Sequence, residues 1–250
     1  MEPQRRELIK AGLIPDWLDI VFLKSVTPLI RLFSSMGINP NWITFASLVL
    51  NAVGAVLVVA GKFLIAGIVI GVAGIFDFVD GKVAARSQRV TILGGLVDSV
   101  LDRYSDLFIF IAIAAYFAFH GFYVAGLASM LAMMGAVMTS YTKALAASYG
   151  FHFRMGAVRR QERIALICFG LCFEFLDPPL RSLLTRLAII ESGRTIAPLP
   201  LSLVIYFLAV FNNLSAVQRF HRACQLARAA DVAGLSREET MSIIADRTQP

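Results

Sequence analysis

The chain has 250 residues, of which 58% are hydrophobic and only 16% charged, with a formal net charge of +6. A mean hydropathy of +0.72 excludes an ordinary soluble domain and makes lipid the solvent for much of the chain. The positive balance fits the cytoplasmic flanks of membrane spans and attraction to anionic lipid or an anionic substrate, in preference to nucleic acid.

In chain order, the first apolar stretch, Trp17 to Met36, is interrupted by Asp19, Lys24, Pro28 and Arg31. It reads as an N-terminal amphipathic helix lying in the interface, within a region of residues 1–36. A mixed-charge start containing proline is not that of a cleavable signal peptide. Six apolar runs follow: Asn41 to Ala60, Phe63 to Val79, Leu93 to Ala118, Phe122 to Ala147, Ile164 to Leu176 with its flanks, and Leu199 to Val217. At roughly 20 residues per crossing they predict an all-α integral membrane protein with six transmembrane helices in residues 37–220. Pro40-Asn41-Trp42-Ile43-Thr44 opens the first span, with proline at the helix start and tryptophan at headgroup depth. Gly61 and Gly121 close turns short enough to force antiparallel neighbours. The longest link, Asp177 to Pro200, is predicted to hold a short surface helix. Beyond Phe220, residues 221–250 read as a polar helical tail, with Ser236-Arg237-Glu238-Glu239 resembling a capped helix start.

Lys and Arg are retained on the cytoplasmic side during insertion. They cluster before the first span (Arg5, Arg6, Lys10, Lys24, Arg31), between spans two and three (Lys82, Arg86, Arg89), between spans four and five (Arg154, Arg159, Arg160, Arg163) and after the sixth (Arg219, Arg222, Arg228). The expected topology is therefore multi-pass with both termini cytoplasmic. Cys168 and Cys172 lie one helical turn apart in an apolar run; with Cys224 they are read as packing groups, since two thiols fall short of the ligands zinc wants and the cytoplasmic side gives no reason to pair them.

The chemistry concentrates between Asp77 and Asp106. An aspartate at the centre of a spanning helix costs roughly 2.5–3.5 kcal/mol, so Asp77, Asp80, Asp98 and Asp102 demand compensation. On a helix, Asp77 and Asp80 project within about 60° of each other, and Asp98 and Asp102 within about 40°. A link of about a dozen residues lets the two helices run antiparallel, so both pairs can meet at the cytoplasmic end. Four converging carboxylates call for hard cations, and two Mg²⁺ or Mn²⁺ ions meet that requirement. Paired metals also suit displacement at phosphorus. Gly81, Ala84, Gly94 and Gly95 leave helix surface bare beside the acids, open either to a flat ligand or to close helix packing.

The spacing resembles the signature of the CDP-alcohol phosphotransferases, or CDP-alcohol phosphatidyltransferases: D-x2-D-G-x2-A-R-x8-G-x3-D-x3-D. Asp77, Asp80, Gly81, Ala84, Gly94, Asp98 and Asp102 stand at the family positions. Ala85 replaces the family arginine, with Arg86 next to it but about 100° round the helix. The resemblance implies transfer of a phosphatidyl group from CDP-diacylglycerol to an alcohol hydroxyl with release of CMP. It implies that Asp77, Asp80, Asp98 and Asp102 bind the metals, that Asp102 is also the general base, and that Gly81, Ala84 and Gly94 line the cytidine site, with Asn41 and Thr44 at the start of the first span beside them. A homodimer in a bacterial or archaeal cytoplasmic membrane is likewise implied.

Asp106 continues the stripe of Asp98 and Asp102 and is read as paired with Arg103. For the acceptor, Ser140 to Lys143 closes the fourth span and Arg159 to Arg163 opens the fifth. Lys143, Arg163 and Arg159 are the candidate cations for an acceptor phosphate, with Arg159 and Arg160 also readable as plain positive flanking. This tract, and Asp98-Ser99 with Asp102-Arg103, is similar to family members of the phosphatidylinositol-phosphate synthase kind, so inositol phosphate is favoured over glycerol 3-phosphate. The rival readings are a cation or proton transporter using intramembrane carboxylates and, given Ala85, a family member without turnover.

Overall fold

The computed structural model describes residues 16–151, 158–186, 197–232 and 234. It is helical, with no strand among the described residues. The helices are α1 (Asp16–Ser35), α2 (Pro40–Val59), α3 (Phe63–Arg86), α4 (Ile92–Phe119), α5 (Tyr123–Ser148), α6 (Arg160–Cys172), α7 (Asp177–Arg186) and α8 (Leu199–Val232). A 3₁₀ turn, Glu174–Leu176, stands between α6 and α7.

Six of these helices close a ring. α2 packs between α3 and α4, α4 lies against α5, α5 against α8, α8 against α6, and α6 returns to α3. α1 leans on α3 from outside, burying Val26 and Ile30 among Ile43, Val79 and Val83. The centre is filled by Ile70, Phe110, Ile113, Phe117, Leu171 and Ile205, all essentially inaccessible. Because α3 and α4 are separated by α2 along the ring, their acidic ends meet only at its mouth.

Local chemistry explains where the helices start and turn. Asn39 caps α2 by accepting from the Asn41 N–H at 3.1 Å, and Pro40 occupies the first turn, where a missing N–H costs nothing. Thr91 caps α4 by accepting from the Gly94 N–H at 3.0 Å. The turns at Gly61 and Gly121 need positive φ, +70° and +78°, which only glycine adopts without strain.

Among the described residues, four helices are long and apolar enough to cross a membrane: α2, α3, α5 and α8. α4 has the length but carries Asp98, Asp102, Arg103 and Asp106 between its start and its middle. α6 has 13 residues, about 20 Å at 1.5 Å per residue, against a hydrocarbon core of roughly 30 Å. The fifth apolar run thus breaks earlier than its sequence suggests. Its later residues serve α8 instead: the Glu174 carboxylate accepts from the Leu201 N–H at 3.3 Å and Asp177 from the Leu199 N–H at 2.9 Å, satisfying donors a helix start leaves free. α7 is the helix expected in the Asp177 to Pro200 link. α8 runs unbroken through the expected boundary at Phe220, because no proline or glycine stands between Pro200 in its first turn and Gly234. The Ser236 to Glu239 segment lies outside the described residues. Two of the three cysteines pack against α3: Cys172 lies against Gly67 and Cys168 near Gly71.

Small residues set the helix spacing. A Cβ on Gly135 of α5 would meet the Asn213 nitrogen of α8 at 2.6 Å and the Asn212 carbonyl carbon at 2.8 Å. Asn212 and Thr139 tie the same seam, donating to the Ala132 carbonyl at 3.0 Å and to the Asn212 carbonyl at 3.2 Å. Gly135→Ala is therefore expected to destabilise by about 1–3 kcal/mol, read as a lowered unfolding temperature in detergent.

Candidate active site and metal centre

The end of α3, the starts of α2, α4 and α6, and the last turns of α5 gather at one end of the ring, bringing the acids of α3 and α4 together. One carboxylate oxygen from each of Asp77, Asp98 and Asp102 lies within 4.8 Å of the others. Asp80 stands apart from that triplet. It is 4% exposed and accepts the Thr44 hydroxyl of α2 and its neighbour Gly81 N–H, both at 2.5 Å. The four acids thus divide into a converging three and a fourth that ties α3 to α2.

Three oxygens at this separation repel one another unless a cation lies among them. Their hardness and spacing suit Mg²⁺ or Mn²⁺ and not a thiophilic metal. The Asp102 Oδ1 atom is buried and makes no hydrogen bond among the described residues, so it is held by charge alone. On this structure's own donors, a divalent cation fits.

One cation of the chain already stands there. Arg160, the first residue of α6, pairs with Asp77, lies 2.9 Å from Asp102 Oδ1 but out of line for a hydrogen bond, and places Nε 3.6 Å from Asp106. Arg163, one turn on, is 3% exposed and pairs with Asp106. The expected Arg103 to Asp106 pair does not form: Arg103 donates to the Ser99 carbonyl on its own helix. Asp106 is buried and faces α6, where the nearest buried cations are, whereas Arg103 stays at the partly exposed rim.

The other sequence candidates fall into three situations. Gly81 faces open space, with nothing within 4 Å of a built Cβ, as does Gly95, while Ala84 is half-buried. Gly94 instead allows close approach, since a Cβ there would meet Thr91 Oγ1 at 2.9 Å and Asn41 Oδ1 at 3.3 Å. Lys143 is exposed on α5. Arg159 is half-buried, its N–H donating to Glu162 at 2.8 Å and its Nε 3.6 Å from the same carboxylate. Arg160 is the residue that sequence reasoning underrated, reading it equally as flank. The signal was available: arginines at i and i+3 opening a helix beside four unpaired acids. Arg219 was also read only as flank; from α8 it donates to the Thr139 carbonyl at 3.1 Å.

Beside the acids, a cavity of about 620 Å³ opens between α1, α3 and α6. Gly71, Gly74, Ile75, Ile164 and Ala165 give it apolar walls, and its polar end is bounded by Asp77, Lys82, Arg159 and Arg160.

The family model for CDP-alcohol phosphatidyltransferase matches residues 37–192. The chain is 31% identical to an archaetidylinositol phosphate synthase of Methanothermobacter thermautotrophicus, covering 66% of this chain and 85% of that one. It is 26% identical to a phosphatidylinositol phosphate synthase of Mycobacterium tuberculosis, covering 80% and 86%. Crystal structures of the Mycobacterium tuberculosis enzyme superpose with a TM-score of 0.65 at 25% identity. The one with CDP-DAG bound covers 79% of this chain and 92% of that one, and the complex with manganese and citrate covers 79% and 88%.

Removing the Thr44 hydroxyl would strand the buried Asp80 carboxylate. Thr44→Val is expected to lower stability by about 1–3 kcal/mol while Thr44→Ser stays near wild type, measured by thermal unfolding in detergent.

Proposed function

The chain belongs to the CDP-alcohol phosphatidyltransferase family, and from that premise we propose that it makes a phosphatidylinositol-phosphate-type lipid by transferring a phosphatidyl group from CDP-diacylglycerol to inositol phosphate, releasing CMP. It is a metal-dependent membrane transferase of phospholipid biosynthesis. The single observation that carries the proposal is the convergence of Asp77, Asp98 and Asp102 from two helices at the ring mouth.

In this reading two divalent cations, Mg²⁺ or Mn²⁺, are held by Asp77, Asp98 and Asp102, with Asp80 alongside. Bound there, they draw charge from the donor diphosphate and stabilise CMP as it leaves. Asp102 takes the proton of the attacking hydroxyl, a role supported by an oxygen that meets Arg160 by charge and without a directed hydrogen bond. Gly81, Ala84 and Gly94 make room for cytidine, with Asn41 and Thr44 beside them; the open space over Gly81 supports that placement. The apolar cavity between α3 and α6 takes a lipid tail, since it joins the acids at its polar end and is lined by apolar side chains beyond. Lys143, Arg159 and Arg163 supply positive charge for the acceptor phosphate. Relatives named for inositol phosphate products support that acceptor over glycerol 3-phosphate.

The placement that goes with this reading has α2, α3, α4, α5 and α8 crossing the membrane, α6 together with the 3₁₀ turn that follows it making the fifth crossing in sequence, and α1 in the interface. Both termini are then cytoplasmic, in a bacterial or archaeal cytoplasmic membrane, with a homodimer as the assembly.

The test incubates purified protein with labelled CDP-diacylglycerol, Mn²⁺ or Mg²⁺, and inositol phosphate, glycerol 3-phosphate or free inositol. CMP and a new lipid are expected with inositol phosphate, and Asp102→Asn should cut the rate by about 10²–10⁴. Absence of CMP release with every acceptor would mark the chain as a member without turnover, and ion flux in liposomes a transporter. Gly81→Ala offers a second check. It should gain roughly 0.5–1 kcal/mol of stability from a helix interior with room for a methyl group, yet raise KM for the CDP-linked lipid by filling the cytidine space.

A further inference from the structure

We propose that Arg160 is a resident counter-ion of the acid cluster, occupying the place a divalent cation takes and withdrawing onto Asp106 when the metal enters. The inference rests on the metal reading above and concerns what the chain does in the metal-free state.

The cluster cannot stand without positive charge. Asp77, Asp98 and Asp102 bring oxygens within 4.8 Å of one another in a half-buried mouth, where their repulsion is poorly screened. Arg160 reaches Asp77 and Asp102, one acid from each helix, so its guanidinium bridges α3 and α4 from a third helix. It is placed to compete, because the Asp77 and Asp102 oxygens it meets belong to two of the three acids that would ligate a metal. A cation among these acids would compete with the guanidinium for the same carboxylates, because two like charges that close in a poorly screened mouth repel each other.

Other features make Arg160 a movable occupant. Its Nε and NH2 atoms are buried and make no hydrogen bond among the described residues, so charge holds the group with few directed bonds. It is the first residue of α6 and borders the cavity of about 620 Å³, which leaves space beside the guanidinium. Asp106, one turn beyond Asp102, lies outside the triplet yet only 3.6 Å from Arg160 Nε. It supplies a carboxylate to which the displaced guanidinium can move. Arg163 by contrast is 3% exposed and pairs with Asp106 alone among the acids, so it does not obstruct the cluster.

The test measures Mn²⁺ binding to the full-length chain in detergent by electron paramagnetic resonance, with Mn²⁺ alone as the probe, and unfolding temperature with and without a chelator. Arg160→Gln is expected to tighten Mn²⁺ by about tenfold, the scale of one charge-assisted hydrogen bond no longer to be displaced, and to lower the unfolding temperature only when the chelator is present. Arg163→Gln removes an equal charge from the same Asp106 and should change Mn²⁺ affinity far less. Should Arg160→Gln fail to fold, Arg160→Lys keeps the charge but cannot bridge three carboxylates, and is expected to tighten Mn²⁺ as well. Equal effects of Arg160→Gln and Arg163→Gln would mean a through-space charge effect and overturn the proposal, as would unchanged or weakened binding in the Arg160 variants. If the wild-type chain binds no Mn²⁺ at all, the metal reading falls with it; if it binds and Arg160→Gln binds no tighter, only this inference falls.

Discussion

Everything at the mouth of this bundle follows from the need to neutralise carboxylates in a place where water screens them poorly. Asp77, Asp98 and Asp102 are brought within a few ångström of one another, and Asp106 lies a turn further in. An arrangement of that kind persists only while positive charge sits inside it. The chain supplies part of the charge through Arg160 and Arg163, and its oxygen donors suit divalent ions for the rest. Repulsion among fixed acids is thus the source of both the affinity for metal and the requirement for buried arginine.

The scaffold exists to hold that repulsion. Acids on non-adjacent helices are kept in register by a ring in which α2 wedges between α3 and α4 and α6 closes the far side. The register depends on close contacts: Asp80 bound to Thr44 fixes α3 on α2, Gly94 lets α4 come up to Asn41, and Gly135 seats α5 on α8. Apolar packing among lipid-facing helices discriminates little between one rotation and another. These small and polar residues do discriminate, so the site's geometry is specified as much by glycine and threonine as by aspartate.

Much of this was legible in the sequence because its signals are one-dimensional. Apolar runs and turn glycines mark helices and hairpins, and the i, i+3 and i, i+4 spacing of Asp77, Asp80, Asp98 and Asp102 places them on shared faces. What escaped was pairing between distant segments. Asp106 has Arg103 on its own helix, and sequence distance favours that neighbour, but burial against α6 gives it Arg163, 57 positions away. Asp80 shares a face with Asp77 by spacing, and the hydrogen bond it accepts from Thr44, 36 positions earlier, is a contact that spacing cannot show. Arg160 looks like one more charge in a basic loop until the fold sets it between α3 and α4. The early end of the fifth apolar run was hidden for a similar reason, since Glu174 and Asp177 are committed to the backbone of a helix more than 20 residues later.

The 34 residues of α8 make a rod about 51 Å long at 1.5 Å per residue, whereas the hydrocarbon layer is roughly 30 Å thick. An uninterrupted helix cannot be trimmed to fit, so once Leu199 and its neighbours start near one boundary, the surplus must rise past the opposite one as a stiff post. Arg219, Arg222 and Arg228 lie along that surplus, and rigidity fixes their heights above the acyl layer in sequence. The post thereby becomes a graded ladder of positive charge standing in the headgroup and aqueous zones at the end of the bundle that carries the acids, where Arg219 meets the Thr139 carbonyl.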